Sequence, residues 1–141
     1  MSYLLDTCVL SEFTKPAPLA TLIAWMQKQD EETLFLSCLT LGELEKGVAK
    51  MAHSKRKTLL SGWINHDLPV RFQGRILTID ANIARRWGRA CAESEGAWRK
   101  RPVITSLIAI TAIEHGLTVV TRNESDMKDT GVKIFNPWVS N

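Results

Sequence analysis

Apolar residues along the chain fall into two alternating rhythms, short unbroken runs and stripes spaced three and four apart. Ser2 to Leu5 is an apolar run ending at Asp6-Thr7, and Asp and Thr are good helix N-caps, so strand, turn and a brief helix are expected there. Pro16 and Pro18 interrupt that helix, after which Leu19, Leu22, Ile23 and Met26 predict a second one to about Lys28. Thr33 to Ser37 predicts the next strand. Thr40 and Glu43, three apart, read as a capping box opening a third helix to about Ala52. Leu59, Leu60, Trp63, Ile64 and Leu68 predict a fourth helix across residues 55–72, with Pro69 near its end.

Arg75 to Ile79 is β-like, and Asp80 can cap the helix after it. There Ile83, Trp87, Ala90 and Cys91 make one apolar stripe opposite Arg85, Arg86 and Arg89. After the polar stretch Glu93 to Arg101, Pro102 can open a helix whose residues Ile104 to Ile113 are apolar on nearly all sides until Gly116 stops it. That helix is expected to be central and buried. Leu117 to Thr121 predicts a strand, Asn123 to Asp129 a turn or short helix, and Val132 to Phe135 a last strand. Strands alternating with helical segments indicate a mostly parallel sheet with helices on both faces, an α/β fold.

Composition narrows the class without naming a chemistry. The 141 residues suit one domain over 1–141, and 45% hydrophobic with 23% charged residues is the balance of a folded globular chain. No run approaches the roughly 18 apolar residues of a membrane span, and the first residues lack the order of a signal peptide, so a cytoplasmic protein is expected. Cys8, Cys38 and Cys91 have neither disulfide-framework nor zinc spacing and read as buried thiols. His53, His66 and His115 lack neighbours at metal-ligand spacing. Serine-hydrolase elbows, P-loops and dinucleotide fingerprints are absent.

The net charge of +3 permits an anionic partner without demanding one. Its clustering is more informative: Lys55-Arg56-Lys57, the three arginines at 85, 86 and 89, and Arg99-Lys100-Arg101. Each cluster alone is compatible with a solvated face.

Acidic positions carry the candidate chemistry. Ligands of an open parallel sheet bind beyond the carboxyl ends of its strands. Asp6 follows the first strand, Glu43 opens the helix after the second, and Asp126 lies shortly past the strand ending at Thr121, so all three can meet at one edge. Carboxylates gathered without matching arginines repel one another and favour a bound divalent cation, with hard oxygens suiting Mg²⁺ or Mn²⁺. Such a site hydrolyses phosphodiesters without a nucleophilic side chain. Read singly, the same residues can also be structural: Asp6 a helix cap, Glu43 a capping-box partner, Asp126 an Asx-turn residue.

In order along the chain, residues 3–12 (YLLDTCVLSE), 39–47 (LTLGELEKG), Pro102-Val103-Ile104, Ser106-Leu107-Ile108-Ala109 and 115–123 (HGLTVVTRN) resemble the successive signatures of PIN-domain toxins of the VapC and FitB type. The resemblance implies a three-layer α/β/α PIN-like domain whose acidic cluster binds Mg²⁺ or Mn²⁺ and cuts RNA. It also implies the toxin half of a type II toxin–antitoxin pair, a homodimer, and a cognate VapB-type antitoxin that inserts a segment into the active-site groove. Family carboxylates fall on Asp6, Glu43 and Asp126, and polar positions bordering the site fall on Thr121 and Asn123. The remaining carboxylate of the pattern falls on Thr105, whose hydroxyl can cap the helix or touch Mg²⁺ but cannot replace the charge. An attenuated enzyme is one consequence; a PIN module that acts by binding RNA or an antitoxin is the other. Lys46, Lys50 and Arg99-Lys100-Arg101 would then lie near an RNA backbone, and Trp98 could stack on a base.

Overall fold

A computed structural model describes residues 1–93 and 102–139. Strands β1 (Tyr3–Leu5), β2 (Leu34–Ser37), β3 (Ile76–Leu77), β4 (Thr118–Val120) and β5 (Ile134–Phe135) form one parallel sheet in the order β3-β2-β1-β4-β5. The helices are α1 (Thr7–Glu12), α2 (Ala20–Lys28), α3 (Cys38–Ala49), α4 (Lys55–Gly62), α5 (Leu68–Arg71), α6 (Ala81–Glu93), α7 (Val103–His115) and α8 (Glu124–Met127).

Successive strand residues face opposite sides of a sheet, and here both sides are covered. Leu5, Leu36 and Val120 pack with Val9, Leu22, Leu44 and Phe72 from the α1 to α5 side. Leu4 and Val119 pack with Ile83, Ile108, Ala109 and Met127 from the side of α6, α7 and α8. Three layers follow directly, α/β/α, with each buried Leu contributing roughly 1.5–3 kcal/mol. From β1 the chain steps outward through β2 and β3, then returns to place β4 on the other flank of β1. The connections leaving β1 and β4 therefore diverge, and the crevice between them lies at their carboxyl ends.

Several expectations hold at residue level. Asp80 Oδ1 accepts from Ile83 N at 2.9 Å, capping α6. Gly116 ends α7 at φ 67, in the left-handed region that favours glycine. Four others need correction. α3 begins at Cys38, because the Ser37 hydroxyl at the end of β2 already accepts from Leu39 N at 3.1 Å, so Thr40 and Glu43 form no capping box. Residues 55–72 are helical, but Trp63–Asp67 is a π-turn in which Leu68 N donates to Trp63 O. Pro69 explains the shift, since it has no N–H for the ordinary bond one turn back. Pro102, not Thr105, stands at the N-cap of α7, without a side-chain cap bond. The three cysteines are free and half-buried rather than fully buried.

Among the described residues, no helix is long and apolar enough to cross a membrane. Trp98 and Arg99-Lys100-Arg101 lie outside the described residues.

Candidate active site at the carboxyl edge of the sheet

Asp6 is the first residue past β1, and its extended backbone lets it cap α1. Its Oδ1 accepts from Thr7 N at 2.8 Å, and its Oδ2 accepts from the Thr121 hydroxyl at 2.8 Å. Thr121 directly follows β4, so one carboxylate ties together the two connections that diverge at the switch point. Only 8% of Asp6 is exposed. Burial pushes its pKa above the ordinary 3.8, and the neighbouring Glu43 charge pushes the same way, against the hydrogen bonds from Thr121 and Thr7.

Glu43 reaches the same place from the second turn of α3. The Thr7 hydroxyl donates to Glu43 Oε1 at 2.5 Å and stands 3.2 Å from the buried Thr40 Oγ1. A single threonine thus contacts both carboxylates, Asp6 through its backbone N–H and Glu43 through its side chain. Cys8 completes the inner wall, with Sγ 3.9 Å from Asp6 Oδ2 and accepting from Arg122 N at 3.5 Å. Burial first, and then the Asp6 charge, raise the Cys8 pKa and keep it a neutral thiol.

Past β4, Thr121 Oγ1 also accepts from Asn123 N at 3.0 Å, so one hydroxyl links the exposed Asn123 to the buried Asp6. Asp126 is exposed on α8, its N–H donating to Asn123 O at 3.2 Å. Thr105 is half-buried in the first turn of α7. Among the described residues, no three side chains from His, Cys, Asp and Glu are grouped to hold a metal ion. The structure therefore brings Asp6 and Glu43 together and does not gather Asp126 into a trio with them.

No described basic side chain forms an ion pair with Asp6 or Glu43; the described pairs are Lys15–Glu12, Arg71–Glu31, Arg75–Glu31 and Arg86–Glu114. Of the basic clusters, Lys55-Arg56-Lys57 is largely structural, with Lys57 Nζ donating to Met51 O at 2.9 Å and Arg56 to Thr14 O at 3.0 Å. Lys46 and Lys50 instead line a groove of about 370 Å³ with Glu43, Gly42, Gly47 and Ile104.

Two carboxylates and two hydroxyls, one of the anions desolvated and unneutralised by any described cation, are a hard-oxygen donor set. Mg²⁺ is commonly held by one or two carboxylates while keeping several waters, so these residues fit such an ion. Sequence reading found Asp6, Glu43 and Thr121 but missed Thr7, Thr40 and Cys8. Signals existed: Thr7 and Cys8 open the helix capped by Asp6, and Thr40 lies one turn before Glu43 on the same helix face.

A PIN domain family model matches residues 3–133. The chain is 34% identical over 134 residues to the VapC ribonuclease Y4jK of Sinorhizobium fredii, across 95% of this chain and 96% of that protein. It is 33% identical over 135 residues to Toxin FitB of Neisseria gonorrhoeae, across 96% and 97% of the two chains. Among solved structures it resembles FitAcB from Neisseria gonorrhoeae with a TM-score of 0.89 at 33% identity, covering 98% and 99% of the two chains. FitAB bound to an IR36 DNA fragment superposes with a TM-score of 0.90 at 31% identity, covering 99% of this chain and 97% of that one.

Proposed function

Because the chain belongs to the PIN-domain family, we propose that it is a divalent-metal-dependent endoribonuclease and the toxin half of a type II toxin–antitoxin pair. The supporting observation is the buried Asp6 carboxylate set beside Glu43, both contacted by Thr7, with no described cation to neutralise them. A bound Mg²⁺ or Mn²⁺ would supply an activated water and neutralise charge building on the phosphate. Asp6 and Glu43 would hold it. Thr121 orients Asp6 and Thr7 orients Glu43, so the donors do not have to be organised at the moment of binding. Lys46 and Lys50 flank the groove next to Glu43 and favour a polyanion there. The same groove, with the exposed Ile104 on its wall, receives a segment of a VapB-type antitoxin, and the chain works as a homodimer.

Thr105 sets the level of activity. Its neutral hydroxyl adds no negative charge in the first turn of α7, which weakens the metal site and slows cleavage. That position also favours a second reading, a PIN module that binds RNA or an antitoxin and cuts poorly.

Cleavage of single-stranded RNA by the purified chain, with Mg²⁺ or with EDTA, tests the first reading. Slow cleavage that requires the metal and is lost in Asp6→Asn supports it. Cleavage that survives both EDTA and Asp6→Asn rules it out.

A further inference from the structure

We infer that Arg122, held over the Trp138 ring, binds a phosphate of the RNA strand lying beside the acidic pair; this rests on the ribonuclease reading of that site. Arg122 follows Thr121, the residue that donates to Asp6, and its own backbone N–H donates to Cys8 Sγ at 3.5 Å. Its guanidinium stands 5.7 Å from the centre of the Trp138 ring. The Trp138 backbone is tied down, its N–H donating to Asn136 Oδ1 at 2.9 Å. The Glu12 carboxyl sits below its ordinary range, chiefly through the Lys15 hydrogen bond, with further bonds from Leu19 N and the Trp138 side chain.

Among the described residues Arg122 forms no ion pair with Asp6 or Glu43, and it is exposed. Contact with the Trp138 face holds its charge on the segment that leaves β4 next to Thr121. The planar fork is thereby left for an anion from solvent. A phosphate adjoining the one over Asp6 and Glu43 is the natural partner, because Arg binds phosphate oxygens in bidentate fashion. Binding there counters the repulsion between a polyanionic strand and two carboxylates. In this assignment Arg122 is a phosphate-binding residue, and Trp138 is a positioning residue acting through it.

The test is binding of a labelled single-stranded RNA to the full chain in EDTA, measured over a series of salt concentrations. One phosphate contact on a single strand contributes a slope of roughly 0.7 in log K against log salt. Arg122→Gln is expected to reduce the wild-type slope by about that amount. Arg122→Lys keeps the charge and the slope. Trp138→Leu, which leaves the charge but frees it, is expected to weaken binding at low salt. Lys133→Gln removes an equal charge immediately before β5, at the other end of the sheet, and leaves the slope unchanged. Thermal melting of each variant establishes that it is folded. If the wild type binds with a salt-dependent affinity and Arg122→Gln matches its slope, this inference is overturned alone. If the wild type binds no RNA in EDTA and cleaves none with Mg²⁺, the ribonuclease reading and this one fall together.

Discussion

The Thr7 hydroxyl donates to Glu43 Oε1 at 2.5 Å, joining residues 36 apart in sequence. Its backbone N–H donates to Asp6 Oδ1, so this one residue fixes the spacing of two carboxylates that would otherwise repel.

Thr7→Val keeps the shape and removes the hydroxyl. A hydrogen bond to a charged group is worth about 1.5–3 kcal/mol, and residues supporting metal ligands commonly alter affinity by roughly 10–100-fold. Weaker Mn²⁺ binding by at least about tenfold is expected, with Thr7→Ser close to wild type. Equal affinities for the valine and wild-type chains would remove Thr7 from the site.

Asp6 also has a signature in stability. Burial raises its pKa in the folded chain above 3.8, so the folded state holds the proton more tightly than the unfolded state. A raised carboxyl pKa contributes stability in full below the unfolded value and loses it as pH rises through the folded value. In EDTA at neutral pH the ionised, buried Asp6 therefore opposes folding. Asp6→Asn is expected to raise Tm there by a few degrees and to flatten its fall as pH rises above about 4. A lower Tm for Asp6→Asn in EDTA would contradict this.

Thr105→Asp separates the two functional readings. Placing a carboxylate in the first turn of α7 is expected to raise metal-dependent RNA cleavage by roughly 10²–10⁴, the scale of a well-placed acid–base group, and to increase toxicity on expression. Unchanged cleavage in a folded Thr105→Asp chain would favour the binding module.

Gly116→Ala probes the fold rather than the site. At φ 67 a Cβ is strained although nothing stands within 4 Å of it. A loss of roughly 1–2 kcal/mol is expected, read as a lower Tm with metal affinity unchanged.

Much of this architecture is legible in the chain because local pattern and tertiary environment agree. The run through Leu4 and Leu5 can be apolar throughout only because both faces of β1 are covered. Helix α7, expected to be buried from Ile104 to Ile113, is buried from Ile108 to Ala112 but leaves Ile104 exposed, because it lies on one face of the sheet rather than at its centre. Asp6 and Glu43 were legible by position after two strands. What sequence did not reveal depends on side-chain geometry. Thr40 and Glu43 satisfy a capping pattern, yet Ser37 sits where β2 ends and takes the cap, leaving Glu43 for Thr7. Pro69 could be read as a helix stop, but the chain absorbs it in a π-turn. The stacking of Arg122 on Trp138 joins distant residues and leaves no periodic trace. Asp126 does follow β4 as chain order suggests, but the expected meeting with Asp6 and Glu43 is not found among the described residues, because position after a strand does not fix where a side chain reaches.

Isothermal calorimetry of Mn²⁺ binding to the metal-free chain, alongside Asp6→Asn and Glu43→Gln, bears most directly on whether the carboxyl edge of this sheet is a cation site. Weak binding in the wild type, largely abolished in both variants, is the expected result. No Mn²⁺ binding by the folded wild-type chain, or equal binding by Asp6→Asn, would contradict it.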